Sequence, residues 1–165
     1  KIRQKAGMVF QNPDNQIIGN VVEEDVGFGP ENLGVPTDEI WKRVEESLTA
    51  TGMISYRAHS PNKLSGGQKQ KLSMARAMLS ETDIMLLDEA TSALDIVATE
   101  KIQNALDEKM RGKTMVLVAH NISTVINADK IIVFDGGKVI AEGTHQTLSE
   151  TCSLYQELAS LQKEA

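Results

Sequence analysis

The chain has 165 residues, of which 41% are hydrophobic and 24% are charged, enough apolar material to bury one core. Its formal net charge of −6 argues against a nucleic-acid partner, because a phosphate backbone requires clustered Lys and Arg. The single cysteine, Cys152, excludes an internal disulfide and favours a reducing, cytoplasmic compartment. No apolar run approaches the roughly 20 residues that cross a bilayer, so we expect any membrane role to depend on a partner.

The chain begins with a short strand and an irregular acidic segment. Residues 6–10 are apolar, which predicts a buried strand, and turn-forming residues follow it, so that Gln11 lies in a loop. Residues 19–36 combine acidic residues with several Gly and Pro, and we expect a surface segment with short helical turns. The abrupt start at Lys1 leads us to expect that the chain is a piece of a longer one.

Two amphipathic helices come next. Apolar residues recur every four positions through residues 40–48, which predicts a helix from Thr37 to about Gly52. A second apolar stripe, in residues 72–79, predicts another helix. Together with the acidic segment, these helices predict an inserted helical subdomain of approximately residues 20–81.

The remainder, approximately residues 82–165, has the pattern of an α/β core. Residues 84–87 form a continuous apolar run, which is typical of a strand buried on both faces. A predicted helix at 96–110 separates this strand from two more, at 114–119 and 130–135. Alternation of strand and helix indicates a mainly parallel sheet.

Two final elements complete the predicted core. Gly136 and Gly137 predict a hairpin turn into a strand at residues 138–141. Regularly spaced leucines predict a last helix over residues 154–161.

The strongest chemical signal is the pentapeptide Leu64-Ser65-Gly66-Gly67-Gln68, in front of the second helix. A Ser hydroxyl and amides without side chains can bind a phosphate oxygen at a helix N-terminus. The alternative is that Ser65 serves only as the N-cap of the helix. On the first interpretation, the candidate nucleotide-binding residues are Ser65, Gly66, Gly67 and Gln68.

Two carboxylates, Asp88 and Glu89, follow the apolar run of residues 84–87. The carboxyl ends of strands are where open α/β sheets place their ligand sites. Asp88 is therefore a candidate ligand for Mg²⁺, which prefers oxygen, and Glu89 is a candidate to polarise an attacking water. The alternative is that acidic residues simply mark the end of a strand.

Three further polar residues are candidates of lower specificity. His120 closes the predicted strand at 114–119, and an uncharged imidazole there could donate to a γ-phosphate, although such a histidine is more often structural. Gln11 could reach a metal or the attacking water, because an amide both donates and accepts, or it could be a solvated turn residue. Asp95 follows a tight turn and is predicted to cap the helix at 96–110.

These elements, in this order, resemble the nucleotide-binding domain of ABC ATPases over essentially the whole chain. The resemblance implies a P-loop NTPase-type core of mainly parallel strands with an inserted helical subdomain, and it implies ATP and Mg²⁺ as cofactors. Gln11 matches the Q-loop glutamine, which touches Mg²⁺ or water and faces the membrane subunit. Residues 64–68 match the signature, which binds the γ-phosphate of an ATP held by the opposite subunit.

The resemblance also assigns the later residues. Asp88 matches the Walker B aspartate, and Glu89 matches the catalytic glutamate. Asp95 matches the D-loop aspartate at the dimer interface, and His120 matches the switch histidine.

The resemblance implies the ATP-hydrolysing component of an ABC transporter. Such a component pairs head to tail with a second ABC ATPase domain, identical or different, and drives a membrane-spanning subunit from the cytoplasmic face. One alternative is a non-transport ABC ATPase of the repair or translation type. The short interval between Gln11 and Ser65 leaves no room for the coiled coil of repair proteins, and translation factors usually carry Glu at the position of Gln68. Another alternative is an inert half-site that only offers its signature.

Two features depart from the family pattern. The 165 residues contain no Gly-x-x-x-x-Gly-Lys-Ser/Thr phosphate loop, or Walker A sequence, and no aromatic residue upstream of Gln11 that matches the adenine-stacking position. In addition, residues 10–16 and 25–32 resemble the ATPases of energy-coupling-factor importers, whereas residues 75–77, 89–95, 143–145 and 154–155 resemble those of exporters. The direction of transport therefore stays open.

The missing phosphate loop generates the first prediction. We expect the isolated 165-residue chain to bind ATP weakly, because the amides and the lysine that surround the β- and γ-phosphates are missing from it. Titration with a fluorescent ATP analogue measures this affinity. Binding in the micromolar range would contradict the prediction.

Overall fold

A computed structural model describes residues 5–162, which divide into two compact units, residues 5–118 and 119–162. The first unit contains, in chain order, β1 (Ala6–Val9), α1 (Val22–Asn32), α2 (Thr37–Ala50), α3 (Gly66–Leu79), β2 (Ile84–Asp88), α4 (Ile96–Lys109) and β3 (Thr114–Val118). The second unit contains β4 (Ile131–Asp135), β5 (Lys138–Gly143), α5 (His145–Thr151) and α6 (Ser153–Leu161).

The first unit is built on a parallel sheet with the strand order β1-β2-β3. Met8 of β1 is opposite Leu86 of β2, which in turn is opposite Val116 of β3. All three strands run in the same direction, so their carboxyl ends lie at one edge of the sheet. The structure thus confirms the mixed α/β fold with parallel strands that the sequence predicts.

One face of this sheet forms the main core. Met85 and Leu87 of β2 are 0% and 2% exposed, and they pack with residues of α3 and α4. On the opposite face, Met8, Val116 and Val118 are between 44% and 52% exposed. The expectation that β2 is buried on both faces is therefore wrong for the described residues, because α3 and α4 both pack against the same face.

The helices α1, α2 and α3 share a second core. The expectation of short surface turns at residues 19–36 is wrong, because α1 is an 11-residue helix in which Val22 and Val26 are fully buried. The Gly and Pro residues of this segment suggested a broken helix, but Gly27 has another role. A Cβ at this position would lie 3.3 Å from Ile40 Cγ2 of α2. The glycine therefore allows close packing of two helices rather than breaking one.

The second unit is an antiparallel hairpin with two helices. Gly136 and Gly137 form the turn between β4 and β5 with positive φ angles of 52° and 76°, as the sequence predicts. Leu148 and Tyr155, from α5 and α6, pack with residues of β4. The last helix follows the leucine pattern, while the short helix α5 was not predicted. Burial also raises the pKa of Tyr155.

Candidate active site

The side chains of Gln11 and Glu89 meet at the carboxyl edge of the parallel sheet. Gln11 follows β1 and Glu89 follows β2, two neighbouring strands that bring these residues together although they are 78 positions apart. Gln11 Nε2 donates a hydrogen bond of 2.5 Å to Glu89 Oε2. An amide that donates to a carboxylate fixes its orientation, and this contact makes the edge of the sheet a candidate active site.

The backbone of Glu89 is held in an unusual conformation. Glu89 has a φ of 48° and is the one non-glycine residue with positive φ in the described part of the chain. Its N–H donates to Val118 O at 2.9 Å, and its carbonyl accepts bonds from the backbone N–H and the hydroxyl of Ser92. A left-handed conformation costs about 1–2 kcal/mol, and such strain concentrates at functional sites.

Asp88 is the half-buried last residue of β2 and lies opposite Val118. Among residues 5–162, no group of three or more His, Cys, Asp or Glu side chains is placed to hold a metal ion. Mg²⁺ is usually held by one or two protein carboxylates together with phosphate oxygens and waters, so a smaller protein donor set suffices. Asp88 and the amide oxygen of Gln11 are oxygen donors of the kind that could contribute to such a set.

The pentapeptide of residues 64–68 forms a capped helix start. Ser65 is the N-cap of α3: its hydroxyl accepts from Gln68 N at 3.3 Å, and Gln68 Oε1 accepts from Ser65 N at 2.8 Å. The capping interpretation of Ser65 is therefore confirmed. It is compatible with phosphate binding, because a capped N-terminus still directs partial positive charge outward.

The two glycines of this pentapeptide have different surroundings. A Cβ on Gly67 would lie 3.1 Å from the carbonyl oxygen of Ala93, so close packing against the turn after Glu89 requires this glycine. A Cβ on Gly66 would meet nothing within 4 Å. The described contacts of the fold therefore give no reason for a glycine at position 66, which leaves space for a ligand beside the helix N-terminus.

Asp95 is the N-cap of α4, as the sequence predicts. Its carboxylate accepts from Ala98 N at 2.9 Å, and this hydrogen bond lowers the pKa of Asp95. The aspartate thus has a structural role at the start of α4 and remains exposed to solvent.

His120 lies two residues after β3 and belongs to the second unit. Its carbonyl accepts from Gln162 Nε2 at 2.7 Å, and Gln162 Oε1 accepts from Ile122 N at 2.7 Å. Gln162, at the end of α6, therefore fixes the backbone beside His120. Sequence reasoning missed Gln162, since no local pattern indicates a contact across 42 positions.

The geometry of the candidate site and the comparisons with known proteins indicate the same protein family. The sequence profile of the ABC transporter family matches residues 1–92, and the chain belongs to this family. Four features described above fit this membership: the parallel sheet, the carboxylates at its edge, the loop glutamine and the capped pentapeptide.

Two curated relatives come from one kind of ABC transporter. The chain is 48% identical over 159 residues to the energy-coupling factor transporter ATP-binding protein EcfA1 of Caldanaerobacter subterraneus subsp. tengcongensis, covering 95% of this chain and 57% of that protein. It is 42% identical over 160 residues to EcfA1 of Clostridium novyi, covering 96% and 57%. The chain thus spans a little over half the length of these relatives.

Solved structures agree with the fold. CbiO1 from Clostridium perfringens, part of the ABC transporter complex cbiONQ, is 32% identical with a TM-score of 0.76, over 96% of this chain and 64% of that one. A bacterial Atm1-family ABC exporter with ATP bound is 25% identical with a TM-score of 0.87, over 98% of this chain and 29% of that one. The resemblance to energy-coupling-factor ATPases that the sequence indicates is confirmed by the EcfA1 relatives.

In the described part of the chain, no helix has both the length and the apolar character that crossing a membrane requires.

The contrast between the glycines generates a prediction for stability. Gly67→Ala should have a free energy of unfolding about 1 kcal/mol lower than that of Gly66→Ala, because only its new methyl group displaces a neighbour, the carbonyl oxygen of Ala93. Gly66→Ala should leave the free energy of unfolding of the parent chain unchanged or raise it by up to about 1 kcal/mol, because a helical Ala in open space lowers the entropy cost of folding.

Denaturant unfolding of the two variants and the parent chain measures this difference. Equal destabilisation by both substitutions would contradict the packing argument, and it would remove the reason for assigning Gly66 to a ligand.

Proposed function

We propose that this chain is the catalytic part of an ATP-hydrolysing subunit of an ABC transporter. The observation that carries the proposal is the hydrogen bond from Gln11 to Glu89, which places a loop amide on a carboxylate at the ligand-binding edge of the sheet. The subunit works in a head-to-tail pair with a second ABC ATPase domain. Residues 20–81 act as its helical subdomain, and residues 82–165 act as its C-terminal core.

The roles at the edge of the sheet follow from the chemistry of each group. Glu89 accepts the proton of the attacking water, and Gln11 holds the carboxylate in the orientation for this step. Asp88 and Gln11 hold Mg²⁺, which when bound neutralises charge on the phosphate oxygens. We assign His120, which belongs to the second unit, to the γ-phosphate because it matches the switch histidine of the family. In this assignment the general base, the metal ligands and the donor to the phosphate are different residues.

The start of α3 binds a nucleotide that the opposite subunit holds. The hydroxyl of Ser65, the open space at Gly66 and the amide dipoles of the helix N-terminus favour an anion at this position. We assign the anion as the γ-phosphate of an ATP that the opposite subunit holds. Gln68 supports the site by completing the cap, and Asp95 lies at the interface between the two subunits.

The transporter class is of the energy-coupling-factor type. Identities of 42–48% to EcfA1 proteins extend over 95–96% of this chain, which includes the part that resembles exporters. This similarity favours transport over repair or translation, and import over export. The subunit is peripheral and lies at the cytoplasmic face of the membrane.

A groove beside the loop of Gln11 is the surface for the membrane-spanning subunit. A cavity of about 530 Å³ lies among β1, α1, α2 and α3, and its lining includes Met8, Arg43 and Arg76. Phe28 and Leu33 also line it and are 41% and 61% exposed. The guanidinium groups are already paired within the chain, Arg43 with Glu81 and Arg76 with Asp25. The exposed apolar side chains therefore carry the argument, and they suit an apolar face of a partner helix.

Substitution of the base generates the prediction for catalysis. In the complete ATPase that carries this chain, Glu89→Gln should lower ATP turnover by roughly 10²–10⁴-fold, because an amide cannot accept the proton. Binding of a fluorescent ATP analogue should be retained. Steady-state phosphate release and analogue titration measure the two effects.

Glu157→Gln, an exposed substitution on α6, is the matched control and should leave turnover unchanged. Normal turnover in the Glu89→Gln protein would refute the catalytic assignment. The inert half-site would be supported instead if the parent protein hydrolysed no ATP but increased hydrolysis by an intact cassette.

The groove generates a prediction for assembly. Phe28→Glu should lower recovery of the membrane subunit in co-purification by at least about tenfold, because it places a charge at the centre of an apolar contact. Trp41→Glu is the control, since Trp41 is also 41% exposed but lies outside the groove lining. Equal recovery with both variants would exclude the groove as the docking surface.

A further inference from the structure

The loop that carries Gln11 is attached to α3 by three side chains. Lys69 Nζ forms an ion pair of 2.7 Å with Asp14 Oδ1. Gln70 Nε2 donates to Phe10 O at 3.3 Å, and Arg76 Nη1 donates to the carbonyl of Gln16. These contacts hold the beginning, the middle and the end of the segment from Phe10 to Gln16 against one helix.

The same loop is braced internally. Gln16 Nε2 donates to Met8 O at 3.2 Å, and Gln16 Oε1 accepts from Phe10 N at 3.5 Å. Asp14 N donates to the side chain of Asn12 at 3.0 Å. The bonds of Gln16 join the end of the loop to its beginning and to Met8 in β1.

The ion pair lies between the two functional regions. Lys69 follows Gln68 directly, and its backbone N–H donates to Ser65 O at 2.9 Å. From Lys69 the contacts continue to Asp14 and through the loop to Gln11, whose amide holds Glu89. The ion pair thus joins the start of α3 to the loop whose amide holds the carboxylate of Glu89.

The other two attachments are parts of the folded core. Gln70 is 1% exposed, and Arg76 also faces the buried carboxylate of Asp25 at 3.5 Å. In contrast, the side chains of Lys69 and Asp14 are 21% and 59% exposed. The ion pair can thus be removed without opening a core, which makes it the adjustable contact.

We propose that Asp14 and Lys69 are positioning residues that link the start of α3 to the catalytic carboxylate of the same chain. The inference rests on the proposed function. An ATP that the opposite subunit presents to Ser65 stabilises the start of α3, and the ion pair transmits this to Gln11 and Glu89. Loss of the ion pair therefore weakens the dependence of hydrolysis in one subunit on nucleotide that the other holds.

The test is a double-mutant cycle in the complete, assembled ATPase. Asp14→Asn and Lys69→Met should each lower kcat about two- to fivefold, the range expected for loss of an exposed ion pair. The Hill coefficient for ATP should fall towards one. The exchanged protein carries Asp14→Lys and Lys69→Asp together. It should recover kcat and the Hill coefficient, because it restores the ion pair with the two charges exchanged.

Two controls separate positioning from folding. Glu142→Gln removes the exposed ion pair between Lys130 and Glu142, 2.9 Å long, and should change neither kcat nor the Hill coefficient. Raising the salt concentration should lower kcat and the Hill coefficient of the parent protein towards the values of the single variants, because screening weakens exposed ion pairs. The single variants no longer have this pair and should respond little to salt.

The outcomes distinguish this inference from the proposed function. A cooperative parent protein whose Hill coefficient is unchanged in Asp14→Asn and Lys69→Met would overturn the inference alone. Equal losses in the exchanged protein and the single variants would also overturn it. A parent protein that hydrolyses no ATP would overturn the proposed function and the inference with it.

Discussion

The parallel ladder between β1 and β2 is the constraint on which the site depends. The register that pairs Met8 with Leu86 makes the two strands end together, so Gln11 and Glu89 leave the sheet side by side. A shift by one residue would turn each side chain to the opposite face of the sheet and would separate the two groups. The β2–β3 pairing adds the bond from Glu89 N to Val118 O, which helps to hold the strained backbone of the carboxylate.

Helix α3 has three roles in the same 14 residues. Its first turn presents a capped N-terminus at Ser65, its apolar residues pack against two cores, and its polar side chains hold the loop of Gln11. At Gly67 its start passes close to the turn after Glu89, where a Cβ would lie 3.1 Å from the carbonyl oxygen of Ala93. The candidate phosphate site and the candidate base are thus attached to one rigid element.

The sequence predicted those features that depend on local pattern. Apolar runs located the strands, and the rule that ligand sites lie at the carboxyl ends of strands made Asp88 and Glu89 candidates. Composition failed at residues 19–36, because Gly27 serves helix packing that only tertiary structure shows. The pairing of Lys69 with Asp14 was equally out of reach, since two exposed charges 55 positions apart have many possible partners.

The measurement that tests the central claim most directly is the NMR signal of the Gln11 side-chain amide in the ¹⁵N-labelled chain. In Glu89→Ala, the Gln11 resonance should shift and its amide protons should exchange faster with water, because their acceptor is gone. The side-chain amide of Gln103, which donates to Asp107 on α4, should not change. A Gln11 signal that is identical in both proteins would contradict the account.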